Sequence, residues 1–541
     1  MLSFLSMPAH SRTHYGTDRP LSNLLTRLVA SVCLVVAMTG SAASQQTVPS
    51  ADFPLPASLE PAVEFWKLVF AGHTSDEVIL HDDRHLDVIY GTVSALDLRA
   101  GGASDVKVEV ARRKRAEKAL LGIRRALQGD RRASAEHREM VEKAWAAAGK
   151  TPDSGARHRV RSQLGLKNRF AEAIEISGMF IPEIKEILER NGVPTEVAYL
   201  PFVESMFNYK ARSKVGASGA WQFTRATGRL FLRIDEAVDE RSDVLHAADG
   251  AARMLRKDYE RIEAWPLALT GYNHGAAGMR RAARRLGTKD IGVIVRKYRS
   301  RTFGFASRNF YAEFLAVVQI YQNRERYFPG VEPRPRLRYD EFTGDRYYSL
   351  LDLALLLDVP SETLADLNPG LSRLVANGTL LVPKGYTIRV PQGARQASLA
   401  AYGKIPTQRK LSRQLAFEYR VRSGDTLGKI AARHRTSVRA LQSANNLPRA
   451  DRIYIGQRLR IPSSSGFGKR METLTLADLE KAAAAESAPT LAEDKTYRVR
   501  SGDTLGRIAE REGTTVRALM AANRLGNTII RVGQVLRIPS S

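Results

Sequence analysis

The sequence predicts a multidomain protein in which a mostly α-helical body is followed by small α+β modules of β-α-α-β plan. Three observations predict it. Apolar residues upstream of the middle of the chain fall at helical spacing, as in Phe170 and Ile174 or Ile184, Ile187 and Leu188. The tail holds an internal repeat: the run 419–428, Tyr-Arg-Val-Arg-Ser-Gly-Asp-Thr-Leu-Gly, recurs at 497–506. Both copies continue through an alanine-rich helical stretch to Asn445 or Asn523 and close on Gly-Gln-x-Leu-Arg-Ile-Pro, at 456–462 and 533–539. The offset is 78 residues at the start and 77 at the end, so one loop residue is missing from the second copy. Finally, 541 residues leave room for about three or four domains, and 43% hydrophobic with 26% charged residues is the composition of folded protein, not of disorder.

Taken in order, residues 1–43 predict a secretory leader. Arg19 and Arg27 precede an apolar run at 28–38, and Gly40, Ser41, Ala42 and Ala43 supply a small-residue cleavage site. The run is too short to span a bilayer. Cys33, the only cysteine, lies inside it; Val32 stands where a lipoprotein site has Gly or Ala, which argues against lipidation. A chain cut after Ala43 has no disulfide, which an oxidising compartment permits. Pro49, Pro54 and Pro56 mark 44–58 as a linker. Residues 59–165 have a basic, helical pattern, and the clusters Arg112 to Arg115, Arg124-Arg125 and Arg131-Arg132 are expected on solvated helix faces. His81 and His85 are four apart but lack a Glu-centred zinc pattern and are expected at the surface. No metal site, nucleotide loop or other cofactor motif stands out.

The stretch 192–223 carries the chemistry. A short helix is expected from Pro194, with Val197, Leu200, Glu204 and Phe207 on one apolar face. Glu204 stands where the pattern calls for a hydrophobe, and a desolvated carboxyl holds its proton to higher pH. Such a group can act as a general acid at neutral pH. A lone glutamate of this kind is more often ion-paired or at a helix end, so the position alone does not decide. The small-residue run 215–220 lets backbone approach a ligand, and Trp221, Gln222 and Phe223 add an aromatic wall with an amide. Further on, Asp239 to Asp243 offers N-cap chemistry for a helix to about Tyr259. Tyr272-Asn273 ahead of Gly275 reads as a helix C-terminus. A long apolar helix is expected from Phe310-Tyr311 to about Tyr321.

Glu204-Ser205, Ser213, Gly216-Ala217, Gly219, Trp221-Gln222-Phe223 and the run 271–275, Gly-Tyr-Asn-His-Gly, together resemble the lytic transglycosylase domain in its membrane-bound transglycosylase D-like form. The resemblance covers 166–329 and implies a lysozyme-like fold shared with goose-type lysozymes. It implies Glu204 as the catalytic acid and Ser213, Gly219, Gln222, Phe223, Tyr272, Asn273 and Tyr311 as substrate-binding residues. Two departures stand beside the acid: Gly271 replaces the usual alanine, and His274 fills a position usually small.

The repeats at 418–463 and 496–540 resemble LysM modules, separated by a linker at 464–495. That resemblance implies glycan binding by Gly424, Asp425, Thr426, Leu427, Asn445 and Gly456 in the first copy. In the second it implies Gly502, Asp503, Thr504, Leu505, Asn523 and Gly533. Residues 340–391 keep the order helix, Asn-Pro and closing Ile-x-Val-Pro, and are expected to be a degenerate third copy.

The net charge of +26 calls for an acidic partner. No nucleic-acid motif is present, and an anionic cell envelope suits the charge as well. The expected partners are therefore peptidoglycan glycan strands and the envelope membrane, not nucleic acid. No second catalytic carboxylate is recognisable by position, whereas ordinary glycoside hydrolysis uses two. The resemblance to the transglycosylase domain implies cleavage of the MurNAc-GlcNAc bond with intramolecular closure to 1,6-anhydro-MurNAc. A goose-type hydrolase and a non-catalytic wall-binding scaffold are the alternatives.

Overall fold

The computed structural model describes residues 50–412, 414, 416–434, 436–447, 452–462, 495–523, 525 and 527–538. The expected leader with Cys33, most of the 464–495 linker and the first residues of the 44–58 segment lie outside the described residues. The chain divides into two compact units, 1–338 and 339–541.

In the first unit, residues 50–58 are not a free linker. Phe53 is fully buried with its ring 5.0 Å from that of Phe314, and the Pro54 carbonyl accepts a hydrogen bond from the Tyr311 hydroxyl at 2.7 Å. Prolines here keep a strap extended against the body, because their fixed φ suits an extended chain. The strap leads into α1 (Glu60–Lys67).

The 59–165 region is not purely helical either. Strands β1 (Glu77–Asp82), β2 (Ile89–Ser94) and β3 (Val160–Leu164) form an antiparallel sheet in the order β2-β1-β3. Helices α2 (Asp105–Leu127) and α3 (Ala135–Ala147) pack on it around Leu80, Val88, Tyr90, Ile123 and Trp145. The central strand β1 is buried from Val78 through Asp82, so its apolar residues form a continuous run whose period cannot separate strand from helix. His81, expected at the surface, is fully buried in that strand; its Nδ1 lies 2.9 Å from the Asp82 carbonyl and its ring packs on Phe65 at 4.5 Å. Burial pushes its pKa down to about 4. The arginine clusters are only partly solvated: Arg112 reaches the Ser75 carbonyl and Arg124 that of Val160, tying α2 to the sheet, while Arg115 pairs with Asp97 at the surface.

The rest of this unit is helical. A 3-10 turn, Thr195–Tyr199, continues into the short helix α4 (Leu200–Ser205), which has a proline in its first turn. Helix α5 (Val244–Ile262) starts where the Asp243 carboxylate accepts from the Leu245 and His246 amides, each at 3.0 Å. Helix α6 (Trp265–His274) ends at Gly275, whose φ of 88° is open to glycine. Helix α7 (Phe305–Gln322) buries 13 of its 18 residues, the mark of a central helix wrapped on all sides. Helices α1, α4 and α6 all pack against α7.

The second unit contains three β-α-α-β modules. Their strand pairs are β4 (Tyr339–Thr343) with β5 (Thr387–Pro391), β6 (Ala416–Arg420) with β7 (Arg458–Pro462), and β8 (Lys495–Arg498) with β9 (Val535–Ile538), each antiparallel. One asparagine clamps each module. The Asn445 amide donates to the Leu441 and Arg460 carbonyls, and its oxygen accepts from the Arg460 amide. Asn523 makes the same three bonds with Leu519 and Arg537, and Asn368 with Leu364 and Arg389. The clamp satisfies a helix-end carbonyl and closes the last strand with one side chain. The 339–391 module has additions of its own, among them a buried bidentate pair between Arg409 and Asp352 at 2.6 and 2.7 Å.

Candidate active site

Glu204 lies one residue before the end of α4. The helix stops because Met206 and Phe207 both take left-handed φ of 53°. Two consecutive non-glycine residues in that region cost roughly 1–3 kcal/mol each and persist only when the surroundings impose them. Here the Met206 amide donates to the Phe202 carbonyl and the Phe207 amide to Pro201, while the fully buried Phe207 ring packs 4.9 Å from Phe202. Phe207 therefore anchors the turn after the acid, and the helical face expected to run through it ends at Ser205.

The segment 211–223 folds as a tight hairpin with bridges Arg212–Ser218 and Ser218–Phe223. Ser213 Oγ accepts from the Ala217 amide at 3.0 Å and stabilises the hairpin's own turn. Gly219 has φ +79°, and a Cβ there would overlap the Arg241 carbonyl oxygen. Gln222 has φ +50°, is buried, and donates its amide to the Gly219 carbonyl at 2.8 Å. Two hairpin carbonyls hold the site together: Ala220 accepts from Ser205 Oγ, and Trp221 accepts from the Tyr272 hydroxyl, both at 2.8 Å. The buried Arg241 braces the hairpin, donating to the carbonyls of Gly216 and Phe223 while its other nitrogens grip Asp239. The sequence reading took the 239–243 run only for helix capping and missed this guanidinium; a buried arginine has no periodicity to reveal it.

From the opposite side, α6 brings Tyr272, whose ring stands edge-on to Phe223 at 6.0 Å, and Asn273, whose side-chain oxygen accepts from Ser307 at 2.8 Å. The two departures compensate locally. At Gly271 a Cβ would press to 3.1 Å of the Ala276 Cα, so glycine fits where alanine would crowd. His274 packs on Phe303 at 5.0 Å and fills the space beside Gly278 that a side chain there would need. Tyr311 is not placed with these residues by its bonding: it is fully buried and its hydroxyl is engaged by Pro54.

Burial acts strongly on two carboxyls of this region, Glu204 and Glu313. Burial pushes the Glu204 carboxyl up to about 8, and the residue as a whole is half-buried. Tyr272 is driven well above its ordinary value by burial and by the Glu204 charge. No cation or amide among the described residues bonds the Glu204 carboxyl. A second carboxyl, missed by the sequence reading, is Glu313 on α7: it is 2% exposed, and burial and the Glu204 charge raise it to about 8 as well. Its signal was available as one acidic residue inside the apolar run 310–318. Among the described residues no group of three or more His, Cys, Asp or Glu is gathered as a metal site requires.

In the two repeat modules the expected glycan contacts all have structural roles. Asp425 accepts from the Tyr419 hydroxyl and the Arg422 amide, and Asp503 does the same with Tyr497 and Arg500. Thr426 and Thr504 cap the following helices, Leu427 and Leu505 are core, and Asn445 and Asn523 are the clamps. Gly424, Gly456, Gly502 and Gly533 take positive φ in the two loops. Beside exposed polar residues such as Arg422, Ser423 and Thr426, those loops leave two apolar side chains in solvent: Ile455 at 73% and Val532 at 69% stand just before the paired glycines in the two copies. The sequence reading passed over them because an apolar residue beside a strand looks like core.

The Transglycosylase SLT domain model matches residues 182–295 of this chain, and the LysM domain model matches 419–462 and 497–539. The chain is similar to the membrane-bound lytic murein transglycosylase D of Escherichia coli, with 27% identity over 354 residues that cover 62% of this chain and 71% of that protein. Shorter matches join it to a probable peptidoglycan endopeptidase LytE of Bacillus subtilis (32% identity, 23% of this chain, 31% of that one). A probable N-acetylmuramidase of Lactococcus lactis matches at 35% identity over 23% of this chain and 28% of its own length.

Proposed function

We propose that this chain is an exported peptidoglycan lytic transglycosylase in which Glu204 protonates the glycosidic oxygen between MurNAc and GlcNAc. The same residue, as carboxylate, then takes the proton of the MurNAc 6-hydroxyl, which closes on the anomeric carbon to give a 1,6-anhydro end. The observation that carries this reading is a glutamate at the end of α4 that is only partly buried, whose carboxyl is raised to about 8 by burial and to which no cation among the described residues is hydrogen-bonded. Ser213, Gln222 and Gly219 shape the hairpin that would receive the sugar, leaving Phe223, Tyr272 and Asn273 as its side-chain contacts. The second carboxyl does not favour hydrolysis, because Glu313 is only 2% exposed, whereas an inverting base must hold a water on the open face of the sugar. An intramolecular hydroxyl held beside the anomeric carbon has an effective molarity far above that of an external nucleophile. Mass spectrometry of muropeptides released from purified sacculi tests the reading: 1,6-anhydro-MurNAc ends support it, and reducing MurNAc ends replace it with a hydrolase.

Attachment to the wall belongs to the LysM modules, with 339–391 as a third copy by its asparagine clamp. Leader, strap, catalytic body, modules and membrane association fit an envelope enzyme of a bacterium. A truncation must spare the 339–391 module, which extends beyond its last strand: Leu411 pairs with Tyr347, and Gln414 holds both backbone groups of Leu381. Removing residues 416–541 is therefore expected to weaken pull-down with insoluble peptidoglycan while cleavage of soluble fragments stays within a few-fold. Linked weak modules raise avidity by about 10²–10⁴ at most. Undiminished pull-down by the truncated protein would refute the attachment role.

A further inference from the structure

The interior of α7 contains a group that neither packing nor hydrogen bonding accounts for. Glu313 lies between Ala312 and Phe314 in a buried stretch that continues through Val318. Its Oε1 is buried without a hydrogen-bond partner, and no cation influences the carboxyl. A structural glutamate at such a depth needs a guanidinium, an ammonium or several donors, since an unpaired buried carboxyl costs several kcal/mol when ionised. Among the described residues none of these is bonded to Glu313 Oε1. What it does have is Glu204, on the helix packed against α7.

We propose that Glu313 is a positioning residue of this site, a second carboxyl sealed behind Glu204 that leaves room for only one negative charge between the two and so keeps the acid supplied with its proton. Two carboxyls in one poorly solvated space cannot both ionise easily, and their protons come off in steps that belong to the pair. When one proton has left, the remaining one is held more tightly. Glu204 therefore retains its proton to higher pH than it would alone. In the second half-reaction, the neutral Glu313 imposes no second charge on the Glu204 carboxylate acting as base.

Other charged groups do not offer the same explanation. Tyr272 on α6 is tied to the Trp221 carbonyl, and His274 is turned onto Phe303. On the 3-10 turn before α4, Tyr199 packs at a tilt against Tyr321, and Glu196 is buried. On α1, Glu64 pairs with Lys67 and Glu60 is exposed. Beyond the end of α7, Arg324 lies over Tyr321.

The inference rests on Glu204 being the acid, and the test separates the two. Glu313→Gln keeps the shape and removes the ionisation. Its kcat/KM at pH 5 should stay within a few-fold of wild type, while the alkaline limb of the profile moves down by about one pH unit or more. Glu313→Asp, which keeps the carboxyl, should restore most of the limb. An unmoved limb in Glu313→Gln overturns the proposal and leaves the acid assignment standing; wild-type turnover in Glu204→Gln overturns both. As a second measurement, the infrared titration of full-length Glu204→Gln minus that of the Glu204→Gln/Glu313→Gln double variant isolates the Glu313 carboxyl from the other 55 acidic side chains. Glu313 should then ionise at lower pH than the last step of the wild-type pair, and an unchanged titration overturns the coupling.

Discussion

Glu204→Gln should lose peptidoglycan cleavage at or beyond the upper end of the roughly 10²–10⁴-fold range for a positioned proton transfer. One group serves both half-reactions in the proposed mechanism, so its removal stops protonation of the leaving oxygen and deprotonation of the 6-hydroxyl together. The fold should not suffer. Folding raises this carboxyl from an ordinary value of 4.5 to about 8, so its contribution to stability is fully present below pH 4.5 and is lost as the pH rises toward 8. Glutamine does not titrate. The variant should therefore melt at or above the wild-type temperature at pH 8, and its advantage should shrink as the pH is lowered to 4.5. The measurements are a muropeptide release assay and thermal melts at both ends of that window. Wild-type turnover in the variant would remove Glu204 from the mechanism, and a lower melting temperature at pH 8 would show that the carboxyl is held by a bond that its surroundings do not reveal.

Glu204 stands out in the sequence as a polar residue on an apolar helical face, but only the resemblance of its surroundings to the transglycosylase domain marks it as a candidate acid. The repeats were legible locally: Gly-Asp-Thr-Leu at 424–427 and 502–505 fixes a turn, a cap and a core residue within four positions. What could not be read depends on contacts between distant segments. Phe53 looked like part of a proline-rich linker until Phe314, more than two hundred residues away, supplied its packing partner. Strand β1 looked helical because burial on both faces removes the alternation by which a strand is recognised. Its His81 was misplaced for the same reason. Tyr311 is expected in the cleft only from the family resemblance, and its hydroxyl is bonded to the Pro54 carbonyl of the strap. Glu313 was visible as an acidic residue in an apolar run, but only the packing of α4 on α7 gives it a partner in Glu204.

Gly219→Ala should disable the enzyme without touching any group that performs chemistry. Gly219 and Gly216 stand three residues apart in the same hairpin with nearly equal φ, +79° and +80°. An alanine at either position carries the left-handed backbone strain, of order 1–2 kcal/mol. Their surroundings differ. Nothing lies within 4 Å of a Cβ at Gly216, whereas a Cβ at Gly219 runs into the Arg241 carbonyl oxygen. That oxygen cannot simply move aside, because the Arg241 side chain is fastened to Asp239 and to the carbonyls of Gly216 and Phe223. The hairpin must shift instead, adding roughly 1–3 kcal/mol of overpacking. It also carries the Ala220 and Trp221 carbonyls that hold Ser205 beside the acid and Tyr272 opposite it. A displacement of about 1 Å at such contacts can cost on the order of 10²-fold in rate. Gly219→Ala should therefore lower both the melting temperature and kcat/KM, the latter by about 10²-fold, while pull-down with peptidoglycan through the LysM modules persists. Gly216→Ala should show only the smaller stability loss and near-normal turnover. Equal behaviour of the two variants would mean that strain alone, and not the close approach of the hairpin to Arg241, governs the geometry around Glu204.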